Sequence, residues 1–139
     1  MKKQIAAVLF LCLALVGGAM AAKDTPAMPG ILANARFVYV TSYDGGEFNP
    51  NILSDDREAI SRVQSALQKW GKLTLVYRAE DADIVVAVQS RPSEDVVAVY
   101  DAHSSSQTYL WRVMGRGGLQ KGETPLVTQF ERAFEKIAN

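Results

Sequence analysis

The sequence predicts an α+β fold: two layers, with a mixed five-stranded sheet packed against two helices. Five short segments are rich in β-branched and aromatic residues, and two longer segments repeat apolar residues at intervals of three and four. These elements follow one another in the order β-α-β-β-β-β-α. The first strand, first helix and second strand form a βαβ unit, whose two strands we expect to be parallel.

Residues 1–21 have the three-part layout of a secretory signal peptide. Two lysines precede the unbroken apolar run Ile5–Val16, and the segment ends in the triplet Ala19-Met20-Ala21. A membrane anchor is the alternative, but the apolar run is marginally long for a span. We therefore expect cleavage after Ala21, a periplasmic or secreted protein, and no stable membrane insertion after cleavage.

The chain after Ala21 offers few routes to common cofactor chemistry. Removing residues 1–21 takes away two lysines and Cys12, which leaves a net charge of −2 and no cysteine. A disulfide is then excluded, and a zinc site would depend almost wholly on carboxylates. The sequence therefore predicts no cofactor, no metal and no nucleic-acid partner. It does not reveal a specific biochemical activity.

The sequence of the first half of the mature chain predicts a leader followed by the βαβ unit. Residues 22–35 hold two prolines and predict an extended leader, either disordered or lying across a single domain of residues 36–139. Residues 36–42 predict the first strand. Ser54 caps the first predicted helix, which Gly71 ends. Alternation over Leu73–Tyr77 predicts a strand at a sheet edge.

The second half predicts a meander and a closing helix. Ile84–Val88 and Val96–Tyr100 are apolar on both alternating faces, which places them in the middle of the sheet. Thr108–Met114 forms a hairpin with the latter. Thr124 caps the last helix, with Pro125 at its first position. These features favour the strand order two-one-three-four-five, although the connection from Arg78 to Asp83 is short for a crossover.

Several short motifs carry a family resemblance. They are Trp70-Gly71 at the end of the first helix, Ala82-Asp83-Ile84-Val85-Val86, and Leu110-Trp111 in the last strand. Together they resemble small secreted bacterial proteins of unknown function, with an architecture similar to the N-terminal domain of TolB and related envelope lipoprotein domains. The resemblance implies an envelope interaction module rather than a catalyst. The chain lacks the terminal lipidation cysteine of the lipoprotein members.

The segment Gly115–Thr124 partly matches a phosphate-binding loop. It follows a strand, opens a helix and holds Gly117, Gly118 and Gly122, but Glu123 stands where the motif needs lysine. A negative charge at that position opposes phosphate binding. The pattern favours a plain connecting loop and leaves small-ligand binding at Gly115–Thr124 as an alternative.

Acidic clusters and one histidine are the remaining candidates for catalysis. His103 lies in a serine-rich stretch typical of a solvated turn, so a nucleophilic triad there is disfavoured. Paired carboxylates could serve hydrolysis, and a carboxylate-dependent hydrolase is the enzymatic alternative. The clusters are Asp55/Asp56/Glu58, Glu80/Asp81/Asp83 and Glu94/Asp95. Helix-dipole stabilisation and loop solvation also account for them.

The strongest lead is an apolar sheet face without enough helix to cover it. If both helices pack on one face, the other exposes apolar side chains, and such patches mark interfaces. The predicted interface residues are Val85, Val97, Val99, Tyr109 and Trp111. Alternatively, the leader covers this face or the helices lie on opposite faces. We expect a non-enzymatic binding module of the bacterial envelope whose partner is an envelope protein or a second copy of the chain.

Overall fold

The predicted α+β fold and its element order are confirmed. A computed structural model describes residues 25–120 and 124–138, so the predicted signal peptide lies outside the described residues. In chain order the strands and helices are β1 (Phe37–Ser42), α1 (Ser54–Trp70), β2 (Thr74–Val76), β3 (Ile84–Ser90), β4 (Asp95–Asp101), β5 (Trp111–Gly115) and α2 (Pro125–Ile137).

The five strands form one mixed sheet in the order β2-β1-β3-β4-β5, as predicted. Strand β1 pairs in parallel with both β2 and β3, and the β3-β4 and β4-β5 pairs are antiparallel. The connection from β2 to β3 passes β1 in residues 77–83. It is long enough because it has to return only along the three residues of β2, which span about 10 Å. The seven residues 77–83 can span about 23 Å when extended.

Strands β1, β3 and β4 differ from their predicted ranges by one or two residues at their ends, and three further boundaries differ as well. Leu53, rather than Ser54, is the N-cap of α1, and Ser54 is its first helical residue. Strand β2 is shorter than Leu73–Tyr77 because its pairing with β1 covers Thr74–Val76 only, and Tyr77 is exposed beyond it. Residues 108–110 precede β5 rather than belonging to it. There the Ser106 and Thr108 amides donate to the Ser104 and Ser106 hydroxyls, and such local bonds compete with strand pairing.

Both helices pack on the same face of the sheet, and the core lies between the two layers. Trp111 of β5 meets Phe130 of α2 edge-on, with 5.9 Å between ring centroids. Trp70, at the end of α1, meets Phe130 and Phe134 in the same way at 6.0 and 5.7 Å. Gly71 ends α1 as predicted, with a left-handed φ of 78° that favours glycine.

The leader packs on the helix side of the domain from Thr25 onward. Met28 and Leu32 are buried in the same cluster as the helix and strand residues of the core. The indole Nε1 of Trp111 donates to the carbonyl oxygen of Pro26 at 2.8 Å, and the Thr25 hydroxyl lies 3.3 Å from Oε1 of Gln129 in α2. This part of the leader is therefore an ordered element of the helical layer.

Candidate functional site

The helix-free side of the sheet is the main candidate surface. Strand side chains alternate between the two faces, so residues next to each buried core position point away from the helices. We call this surface the open face, and its strand residues are Phe37, Tyr39, Thr41, Thr74, Val76, Val85, Ala87, Gln89, Val96, Ala98, Tyr100, Arg112 and Met114. It is largely apolar and aromatic, and Arg112 is its one formal charge.

The structure divides the five predicted interface residues between the two faces. Val85 lies on the open face, and Tyr109 lies at its rim against Arg112. Val97, Val99 and Trp111 are at most 2% exposed and pack beneath the helices. Their assignment to an exposed patch is therefore wrong. When a strand is apolar on both faces, the sequence does not show which of its two alternating sets of side chains points toward the helices. The exposed set could therefore not be chosen from the sequence.

Among the described residues, neither a helix nor the leader covers the open face. Both helices lie on the other side, and the leader packs with them through Met28 and Leu32. The open face carries exposed large side chains: Phe37 and Tyr43 at 42%, Tyr109 at 45% and Met114 at 47%. An exposed apolar surface of this kind is typical of a binding site.

Four tyrosines lie on or beside the open face: Tyr39, Tyr43, Tyr100 and Tyr109. Tyr39 and Tyr100 flank Val85 across the sheet, because Val85 pairs with both. Tyr43 follows β1, yet its hydroxyl lies beside that of Tyr100, so its side chain folds back across the sheet. Burial first, and then the Tyr100 hydroxyl, raise the pKa of Tyr43 to about 12. Tyr43 therefore stays a neutral phenol that can donate and accept hydrogen bonds at physiological pH.

A pair of alanines lies at the centre of the open face. Ala87 and Ala98 are direct cross-strand partners, and the row continues to Thr41 on one side and Arg112 on the other. Both alanines are buried, at 5% and 0% exposure, although no helix covers them. Their short side chains lie in one row between the larger side chains of Thr41 and Arg112. Tyr43 lies outside every predicted strand, so its place on the face was missed.

The acidic clusters of the sequence are divided into separate structural contacts. Asp56 in α1 is buried, and its Oδ1 accepts from the Ser90 amide at 3.0 Å and from Arg91 Nη1 at 2.8 Å. Asp95 is also buried, with Oδ2 accepting from the Leu119 amide at 2.9 Å. These two carboxylates thus tie α1 to the β3-β4 turn and β4 to the loop before α2.

Asp83 is the member of its cluster that lies beside His103. Its Oδ2 accepts from the amides of Arg36 and Phe37 at 2.9 and 3.0 Å, and its Oδ1 lies 3.2 Å from His103 Nε2. The Arg36 amide is the main cause that lowers the pKa of Asp83. The two side chains line an open cavity of about 220 Å³ together with Asp101. His103 is 67% exposed there, so its imidazole is poorly fixed for catalysis.

The described part of the glycine-rich segment is used for packing. Leu119 is fully buried, and its carbonyl accepts from Arg62 Nη1 at 2.9 Å. The Leu126 amide at the start of α2 donates to the Gly118 carbonyl at 3.3 Å. These groups satisfy one another instead of facing a shared anion cradle. Residues 121–123, including Glu123, lie outside the described residues.

Among the described residues, no three or more histidine, cysteine, aspartate or glutamate side chains converge as a metal site. No helix in the same part of the chain is long and apolar enough to cross a bilayer.

Comparison with known proteins identifies no family. No protein-family profile matches the chain, and no curated protein sequence matches it. A variant of PelC from Paraburkholderia phytofirmans, solved as a dodecamer, aligns with a TM-score of 0.45 and 15% identity over 81% of this chain and 94% of that chain. A second PelC dodecamer from that organism has a TM-score of 0.37 and 16% identity, over 84% and 96%. At these values, no property of PelC is transferred to this chain.

Proposed function

We propose that the protein is an exported, non-enzymatic binding module of the bacterial cell envelope, and that the open face is its binding surface. The observation that carries this proposal is the one-sided cover of the sheet. Two helices and the leader pack on one face, and no described element packs on the other. A face that stays apolar without a covering helix or leader is best explained by an external partner.

The composition of the open face supports a protein partner. Its strand positions hold Tyr39, Tyr100, Arg112 and Met114, and they hold no lysine, aspartate or glutamate, although 22% of the chain is charged. Tyrosine, methionine and arginine are enriched in protein interfaces, whereas lysine and acidic residues are depleted. Tyrosine and arginine are also frequent among the residues that contribute most to binding energy.

Export is part of the proposal and rests on residues 1–21. If the signal peptide functions as predicted, the mature protein begins at Ala22 and is found outside the cytoplasm. N-terminal sequencing of the protein recovered from its producing cells tests this. A chain that retains Met1 in the cytoplasm would contradict it.

Site-specific photo-cross-linking in the producing cells tests the binding surface. The photoreactive residue p-benzoylphenylalanine replaces Phe37, an exposed aromatic residue on the open face, and in a second strain it replaces Tyr109 at the rim. Phe48 provides a matched control. It is 82% exposed, and the preceding carbonyl of Glu47 accepts from Arg57 of α1 on the helical side.

We expect cross-linked protein adducts from Phe37 and Tyr109 and far fewer from Phe48. The absence of adducts at both open-face positions, in cells where all three variants are folded and exported, would contradict the proposed function. Circular dichroism of the purified variants checks that each one is folded.

A further inference from the structure

Arg112 carries the only formal charge among the strand residues of the open face, and it lacks an acidic partner. Its guanidinium carbon lies 5.1 Å from the Tyr109 ring centroid, and Nη2 lies 3.1 Å from Met114 Sδ. A thioether is a weak acceptor. No carboxylate among the described residues forms an ion pair with Arg112. Most donors of this side chain are thus available to an external group.

We propose that the open face docks a different protein, whose contacting segment places a carboxylate against Arg112 and apolar side chains against the surrounding tyrosines. This inference rests on the proposed function and specifies its partner. A carboxylate matches the fork of guanidinium donors, and such charge-assisted bonds are stronger than neutral ones. The Tyr109 ring beside the guanidinium limits its freedom, which lowers the cost of ordering it on binding.

Charge argues against a second copy packed face to face. In such a two-fold pair the same surface meets itself, so both partners bring Arg112 and neither brings a carboxylate from its open face. Arg112 lies on the edge strand β5, beside Ala98 of β4. A face-to-face contact that covers β5 would therefore desolvate two guanidinium groups without neutralising them, which is unfavourable.

Area leads to the same choice of partner. Five strands span about 19 Å, and the seven residues of β3 extend over about 23 Å, which gives a projected area of about 440 Å². A stable interface buries about 800 Å² on each partner. A sheet face of this size is therefore small for self-association, and a segment anchored by an ion pair and a few aromatic contacts suits it better.

The cross-linking strains identify the segment that is needed for the test. Mass spectrometry of the Phe37 and Tyr109 adducts locates the attached peptide in the partner. That peptide is then synthesised with a fluorescent label, and its Kd is measured by anisotropy for the wild-type chain and for Arg112→Gln. Ser61→Gln, on the exposed surface of α1, is the control substitution.

We expect the cross-linked peptide to come from a different protein and to contain an aspartate or glutamate among apolar residues. Arg112→Gln is expected to raise its Kd about tenfold to a hundredfold, because a hydrogen bond to a charged group is lost, and Ser61→Gln is expected to leave it unchanged. Replacing the peptide carboxylate by its amide should weaken binding similarly in wild type and have little further effect in Arg112→Gln.

Three results would overturn this inference while leaving a docking function in place. They are adducts to a second copy of this chain, a cross-linked peptide without a carboxylate, and a Kd that Arg112→Gln changes less than about twofold. The absence of any open-face adduct would instead remove the proposed function together with this inference.

Discussion

Gly118→Ala is expected to destabilise the domain strongly, because the loop before α2 is packed against the core at this glycine. A methyl carbon on Gly118 would lie 2.3 Å from Leu126 Cγ and 2.5 Å from its Cδ1. Carbon atoms in contact prefer a separation of about 3.5–4.0 Å, so the overlap is more than about 1 Å. Leu126 is 2% exposed, so moving its side chain away from the new methyl group would disturb its packing in the core.

Overpacking of this kind costs about 2–3 kcal/mol of unfolding free energy. For a domain of this size the loss corresponds to a fall in Tm of about 10–15 °C. Gly30→Ala is the matched control, because a methyl group there meets no atom within 4 Å. Its effect should stay within about 1 kcal/mol in either direction.

Thermal unfolding followed by circular dichroism compares the two variants, and a double variant isolates the contact. Leu126→Ala removes the side chain that the new methyl group overlaps, so the loss in Gly118→Ala/Leu126→Ala should be smaller than the sum of the single losses. A Tm for Gly118→Ala within about 3 °C of that for Gly30→Ala would refute this packing. It would also reopen a ligand-binding role for the loop.

Three further outcomes follow from individual contacts. Arg91→Gln should cost about 2 kcal/mol, less than a fully buried pair because Arg91 is 30% exposed, and adding Asp56→Asn should restore part of the loss in urea titrations. Trp111→Phe removes the bond to the Pro26 carbonyl and should speed proteolysis of the leader, which mass spectrometry of timed digests detects. The folded-state pKa of Asp83 is lowered, so its stabilising contribution is present above the unfolded value, about 3.9, and is lost as pH falls through the folded value. The deficit of Asp83→Asn in unfolding free energy should therefore shrink between about pH 6 and pH 2, and a constant deficit would contradict the assignment.

The fold was accessible from the sequence because its strongest signals are local. The apolar stripe of α1, the left-handed Gly71 and the doubly apolar β3 and β4 each follow from neighbouring residues. Even the strand order followed from which strands are apolar on both sides. The short connection that argued against this order is accommodated by a three-residue β2.

The candidate site was harder to predict from the sequence. It depends on which face of the sheet each strand residue points to and on contacts between residues distant in sequence. In β4, alternating residues of similar apolarity face opposite layers, so Val97 and Val99 were placed on the wrong side. Tyr43 reaches Tyr100 across the sheet, a contact that no local pattern encodes. Arg112 belongs to none of the motifs found in the sequence. Its significance arises from the absence of acidic residues among its neighbours on the face.

The carboxylates of the chain bear on the choice between a binding module and a hydrolase. A catalytic acid or base needs an oxygen within hydrogen-bond reach of the substrate. Asp56 has an oxygen, Oδ2, without a partner, but that atom is buried beneath the β3-β4 turn and meets no substrate from solvent. Both oxygens of Asp95 and both of Asp83 already accept or contact donors of the chain. The arrangement accounts for these carboxylates as supports that hold loops and strand ends in place. Arg112, on the face that the helices leave uncovered, instead keeps donors that form an ion pair with no carboxylate of the described residues.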